Sequence, residues 1–467
     1  MIIRVKAKLL LCFFAVFIAV MASAQDFVAR DILVSAPDAQ IGDFEIEPIQ
    51  KRICWQSITD NTLWICHLDT GTWALTEPYG KETLVDSMLT PLNHSSNGGE
   101  WGFDLNYTYI VYSKQINKVR YITAATEIPT GWYITTFFDA PHRMNPHASQ
   151  NPNDSVSIIY YIRNPFSVNT KFKFLNHPDD EYGITCFSDT HWMNEDQLLT
   201  GILSNDQAGI FDPNDPVDPV QVTFDSAIHY SQPFMWRAPE HDNARMLFAR
   251  ANNSEIRVFK EAAPNSNQFN LYQVFRSPSA NQAYDQIASP EPIVFDGHSY
   301  ITFMVSASPK ENANLPADIW IAKVDSTAPE YRMISDSAAG IRTDPEGFVA
   351  NDRLLAYYTE VIDPTSNEPI YRMRQCETGF RVGVMTGTAE AQKSDVRYRV
   401  FPNPFKNRIV VQNATGGELY QLTNPLGQSI WSGPDIGAQD FSNLKGTTFF
   451  LKIISGDSLQ TLQLVKQ

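Results

Sequence analysis

Carboxylates, an imidazole and tryptophans cluster in a few short stretches whose chemistry suits a carbohydrate. Glu100-Trp101, His191-Trp192 and Trp236-Arg237, together with Glu291 and Glu346, each stand just ahead of a turn containing Asp or Asn. A sugar ring stacks on an indole face while its hydroxyls bond to carboxylates, which makes Glu100, Trp101, His191, Trp192, Trp236, Glu291 and Glu346 the candidate ligand-binding residues. Two of these acids at a suitable separation would also serve glycoside hydrolysis, one as general acid and the other as base or nucleophile. The competing interpretation puts the tryptophans in a core and the acids in turns.

Other reactive arrangements are missing, so no catalytic residue is assigned. The chain has no Gly-x-Ser-x-Gly elbow, no His-Glu-x-x-His and no phosphate-binding glycine loop. Asp212-Pro213-Asn214-Asp215-Pro216-Val217-Asp218 concentrates oxygen ligands as a calcium loop does, but without a calcium loop's spacing. Calcium is therefore the one cofactor left open, and no metal ligands are assigned. Histidines are scattered, with no pair at a metal-ligand spacing.

Those residues need elements to position them, and the body of the chain supplies a diverged repeat. Asp104, Asp154, Asp196, Asp242, Asp296 and Asp352 mark recurring turns, each followed by an apolar strand such as Tyr109 to Tyr112, Met246 to Ala249 or Leu354 to Tyr358. Partner strands recur at Val119 to Ile122, Phe172 to Leu175, Ile256 to Phe259, Ile319 to Ala322 and Ile370 to Met373. An earlier copy is the hairpin of Arg52-Ile53-Cys54-Trp55-Gln56 and Leu63-Trp64-Ile65-Cys66-His67. Units of about fifty residues with several short strands predict an all-β fold, a β-propeller of about seven blades, with six or eight open. In such a fold the innermost strands carry the ligand site. Turns such as Val294-Phe295-Asp296-Gly297-His298 are similar to the Trp-Ser-Pro-Asp-Gly turn of TolB-like propeller repeats.

Four cysteines follow Cys12: Cys54, Cys66, Cys186 and Cys376. A hairpin centred on Asp60 would set Cys54 and Cys66 directly opposite each other and predicts a disulfide between them. Cys186 and Cys376 either pair or stay as thiols.

The tail has its own punctuation. Phe401-Pro402-Asn403-Pro404-Phe405 marks an entry turn, since two prolines flanking Asn cannot lie in a helix or a central strand. Turn and strand signals follow through Gly427, Gly446, the run Phe449 to Ile453 and the run Leu462 to Gln467. This tail, residues 398–467, resembles the C-terminal sorting domain of cargo for the type IX secretion system of Bacteroidota. Phe401, Pro402, Asn403, Pro404, Gly427, Gly446, Lys452 and Lys466 fill the places of that family's sorting signal. Thr447-Thr448 puts two residues where the family usually has one. The resemblance implies a small immunoglobulin-like β-sandwich, a type IX translocon as partner and delivery to the cell surface or the medium. Asp-Ser at Ser87, Ser155, Ser226, Ser326, Ser337 and Ser458 also resembles the O-glycosylation signal of Bacteroidota.

The start of the chain agrees with export. Arg4, Lys6 and Lys8 precede an apolar run from Leu9 to Met21, and Ala22-Ser23-Ala24 supplies small residues for cleavage, so residues 1–24 read as a signal peptide. The run is too short to span a bilayer, and no later stretch suits a membrane span. Residues 25–385 form the expected propeller, and the small polar stretch within 386–397 is the linker. A net charge of -16 argues against nucleic acid or an anionic membrane as partner. The expectation is an exported propeller that binds an extracellular glycan or protein. The alternative is a glycoside hydrolase or lyase with acids in the channel.

Overall fold

The computed structural model describes residues 30–33, 40–47, 49–76, 81–92, 97–103, 107–150, 157–164, 167–174, 181–183, 188–193, 196–213, 215–309, 315–324, 329–336, 338–361, 370–382, 399–401, 405–412, 418–424, 429–445, 448–455 and 458–466. Outside these lie the expected signal peptide and linker, Asp104, Asp154, Cys186 and Asn214. Pro402, Asn403, Pro404, Gly427, Gly446, Ser155, Ser326 and Ser337 also fall outside them. Two compact units divide the chain after Val382.

Every element longer than a single 3-10 turn is a strand among the described residues. Among the described residues, the larger unit has seven four-stranded antiparallel sheets. They open, in chain order, with the strands Ile41–Glu47, Glu100–Phe103, Arg143–Ala148, Ser188–Met193, Tyr230–Ala238, Gln286–Phe295 and Ile341–Ala350. The first six sheets are simple meanders. The seventh takes its fourth strand from the other end of the unit, where Arg30–Leu33 pairs with Tyr371–Arg381, Arg30 opposite Glu377.

Apolar runs explain the second and third strands of each sheet. Leu355, Ala356, Tyr357 and Tyr358 are buried on alternating faces, because a blade in the middle of a stack has no solvent face. Each core cluster is shared by neighbours. Trp236, Phe248 and Ile256 of the fifth sheet pack with Ile301 and Phe303 of the sixth, and Tyr300 and Met304 pack with Leu354 and Tyr358 of the seventh. Phe348, Leu355 and Tyr357 of the seventh then meet Phe44, Ile53 and Trp55 of the first. The opening strands touch in succession round to the start, Ile341–Ala350 meeting Ile41–Glu47. That closed ring of sheets is a β-propeller with the opening strands innermost. Burying each large apolar side chain contributes about 1.5–3 kcal/mol, and the ring closure leaves no terminal blade with a bare face.

The predicted hairpin at Cys54 and Cys66 forms, but the predicted disulfide does not. Its loop is four residues long, with Ser57 N bonding Thr62 O at 2.9 Å and Asn61 at φ 53°. An even loop shifts the register by one from a hairpin centred on Asp60, so Cys54 faces Ile65 and Ile53 faces Cys66. Cys54 therefore packs towards the second sheet and Cys66 towards the seventh. Of the segment Asp212 to Asp218, Asp212 ends the third strand of the fourth sheet and Asp215 opens the fourth, the two lying opposite each other.

In the smaller unit, a four-stranded antiparallel sheet and a two-stranded one accompany a core of Phe405, Ile409, Tyr420, Leu422, Phe441, Phe449, Leu451 and Leu464. Phe401 ends the strand Arg399–Phe401, Lys452 lies in Thr448–Ser455, and Lys466 bridges to Phe405 in parallel fashion.

Candidate functional site

A repeated irregularity in the innermost strands builds the site. In sheets three to seven the ladder slips just before one residue: His147, His191, Phe234, Glu291 and Glu346. Asn145, Gln232, Ser289 and Asp344, two places earlier, sit at φ between 46° and 58°, and in each case proline follows. Proline offers no N–H to the ladder, so pairing lapses there and resumes at the next residue. Left-handed backbone at four equivalent non-glycine positions is strain that the surrounding sheets hold in place.

The carbonyl of that proline is captured by the preceding sheet. Thr200 Oγ1 donates to Pro233 O at 2.5 Å, and Thr302 Oγ1 to Pro345 O at 3.1 Å. Cys54 takes the same role in the first sheet, its thiol donating to Gly99 O at 3.2 Å. Gly99 stands in the proline's place, and a side chain there would meet Leu63 and Ile110 at 2.9 Å. Since Thr200 pairs with His191, Thr302 with Glu291 and Cys54 with Glu45, the equivalent residue of the first sheet is Glu45. In the second sheet it is Glu100.

One residue per sheet thus forms a ring: Glu45, Glu100, His147, His191, Phe234, Glu291 and Glu346. All seven are half-buried, while most residues beside them are buried. Three successive pairs of neighbours, from Glu100 to Phe234, touch. His147 Nδ1 lies 3.5 Å from Glu100 Oε1, the His147 and His191 rings are 5.2 Å apart, and His191 is 3.8 Å from the Phe234 ring. Asn97 Nδ2 steadies Glu100 with a 2.7 Å bond to Oε1.

Enclosure sets the charge states. Glu45 is crowded by protein and by Glu100, Glu346 and Asp344, and burial first, then their repulsion, pushes its carboxyl well above the ordinary range. Burial first, and His147 second, drives His191 well below the ordinary imidazole value, so it is uncharged at neutral pH. Neither His191 nitrogen hydrogen-bonds to a described residue. Among the described residues, no group of three or more His, Cys, Asp or Glu is arranged to hold a metal ion.

Four of the seven sequence candidates, Glu100, His191, Glu291 and Glu346, occupy ring positions. The tryptophans do not. Side chains alternate along a strand, so the residue after a ring member turns into the seam between sheets. Trp101, fully buried, donates Nε1–H to Glu45 O at 3.0 Å, and Trp192 donates to His147 O at 3.2 Å. Trp236, two places after Phe234, is instead buried in the core shared by the fifth and sixth sheets and donates Nε1–H to Ser299 Oγ at 2.8 Å. Sequence inspection missed Glu45, His147 and Phe234. The signal that finds two of them is the recurring proline in Asn145-Pro146-His147, Gln232-Pro233-Phe234, Ser289-Pro290-Glu291 and Asp344-Pro345-Glu346.

No protein-family model and no curated protein matches the chain. Among solved structures, the β-propeller domain of Cps50 (Swd1) from Myceliophteria thermophila is similar with 10% identity and a TM-score of 0.48, over 74% of this chain and 99% of that one. A protein from Lactobacillus plantarum is similar at 13% identity and a TM-score of 0.43, over 70% and 99%. The Dos1 propeller is similar at 8% identity and a TM-score of 0.42, over 76% and 96%.

Proposed function

We propose that this protein is an exported seven-bladed propeller that binds an extracellular ligand at the ring of Glu45, Glu100, His147, His191, Phe234, Glu291 and Glu346. The observation that carries this is the ring itself: equivalent positions of seven strands give half-buried polar or aromatic side chains where the surrounding positions are mostly buried. The seven sheets serve as blades, and the smaller unit is an immunoglobulin-like sandwich acting as a type IX sorting domain. Support for the route comes from the signal-peptide pattern and from the tail residues that resemble that family.

Glycans and peptides presented on beads should discriminate ligand classes. The mature chain from Gln25 retains at least one class, and the double variant Glu100→Gln with Phe234→Ala loses it at a temperature where its circular dichroism still reports the folded protein. Equal retention by that variant would place the binding surface elsewhere. Deleting residues 398–467 strands the chain in the periplasm, and normal export of the truncated chain refutes the sorting role.

A specific feature favours hydrolysis as the second possibility. A Glu45 carboxyl held well above the ordinary range beside Glu100 and Glu346 would suit the general acid of a glycosidase, with a neighbouring acid as its partner. Mass spectrometry of polysaccharides incubated with the protein reports on it directly, since cleavage products lost in Glu45→Gln would establish an enzyme.

A further inference from the structure

Away from the ring, a surface cluster brings a weak acid, a base and a cation together. At one end of the fifth sheet the Tyr272 hydroxyl lies 3.0 Å from His241 Nε2, and the two rings meet edge to face with their centres 5.0 Å apart. Lys260 Nζ stands over the Tyr272 ring, 6.0 Å from its centre. His67 and His229, by contrast, each hold a carboxylate at 2.8 Å through Nδ1. Of these three imidazoles, His241 is the one whose partner is a hydroxyl.

Two local departures from a plain meander make the contact. Gln273 pairs with Val258 but Leu271 pairs with Phe259, so Tyr272 is the extra residue of a bulge, which re-aims its side chain. His241 ends the 3-10 turn Pro239–His241 between the first and second strands of the sheet. Glu240 Oε1 anchors that turn by accepting from Ser299 N of the sixth sheet at 3.1 Å, and Asn243 N donates back to Ala238 O at 3.0 Å. Reagents can reach the phenol, since Tyr272 is 36% exposed and Leu271 beside it 52%.

We propose that Tyr272 is a nucleophile that takes an acyl group from an activated ester, thioester or acylimidazole, with His241 as its general base. A phenol near neutral pH is a poor nucleophile because little of it is ionised, and a base at hydrogen-bond distance removes that obstacle. With its proton on Nδ1, the neutral imidazole presents Nε2 as the acceptor. The phenol oxygen bonds to the acyl carbon while its proton passes to His241 Nε2. The bond from that carbon to the leaving group breaks with its electron pair, and His241 hands the proton to the departing group. The products are an acyl ester on Tyr272 and a neutral alcohol, thiol or imidazole, so no further reactant is needed. Lys260 attracts the negative charge that develops on the phenol oxygen.

N-acetylimidazole on the full mature chain tests this, with peptide mapping by mass spectrometry and Tyr133 as the internal reference. Tyr133 is 62% exposed, so exposure alone makes it the faster of the two. We expect Tyr272 to be the faster near neutral pH, and His241→Gln to slow it roughly a hundredfold, the low end for general-base assistance, with Tyr133 unchanged. The pH profile of the native chain needs no variant. Acetylation of Tyr133 climbs with phenol ionisation up to about pH 10, whereas that of Tyr272 levels off once an imidazole has lost its proton. A Tyr133 rate equal to or above that of Tyr272, a His241→Gln rate within about tenfold of native, or parallel pH profiles overturns the assignment.

Discussion

Glu100 and His147 belong to different sheets, yet their side chains meet at 3.5 Å, with His147 24% and Glu100 15% exposed. The contact couples two blades through the ring, and through His147 it reaches His191.

His191 remains neutral in the folded protein at pH values where a free imidazole is already charged. The unfolded chain binds that proton near the ordinary value of 6.5 and the folded chain only at lower pH, so stability falls as pH drops below about 6.5. Urea midpoints between pH 7 and pH 5 should decline more steeply in the native sequence than in His191→Phe. Parallel profiles would show that His191 titrates normally.

Glu45 gives the opposite slope. Its folded carboxyl titrates above the ordinary 4.5, so the proton it keeps stabilises the fold at low pH, and that contribution is lost as pH rises through the folded value. Glu45→Gln should match the native protein in urea at pH 4 and exceed it at pH 8. A variant less stable than the native protein at pH 8 would contradict the assigned protonation.

Arg342 is fully buried, ion-paired with Asp336 and Glu360, and bonded to Ala317 O at 3.0 Å and Ala338 O at 2.8 Å. Arg342→Met removes these partners and should cost about 3 kcal/mol, the low end for a broken buried pair because Asp336 still reaches water and Glu360 keeps its pair with Arg374. Equilibrium urea denaturation measures it.

Cys54 and Cys66 should both take up a thiol reagent when the protein is unfolded without reductant, since their register sets them on opposite faces. A peptide pair joined through these two residues would show that the hairpin slips by one.

The legible parts of the sequence were those where a run of side chains carries one instruction. Leu354 to Tyr358 and Met246 to Ala249 are apolar on both faces, which identifies an interior strand wherever it lies. The innermost strands carry a broken pattern because they mix core, bulge and ring residues, so Phe234 reads as one more core phenylalanine. Trp101 was misleading for the same reason, as one step along a strand separates the ring from the seam. The Cys54 register turned on whether a loop held an odd or an even number of residues, which Thr59-Asp60-Asn61 leaves undetermined.

Arg30–Leu33 completes a sheet whose other strands come from the end of the same unit. As the chain is made, six sheets can form in order of synthesis, but the circle can only be locked once residue 381 is available. Closing so long a loop is a late, entropically costly event, and until it happens the first and last sheets show their apolar flanks to the solvent. The species most exposed to proteases and to aggregation is therefore a nearly finished chain, and chaperones that delay folding would act most usefully on the two ends together.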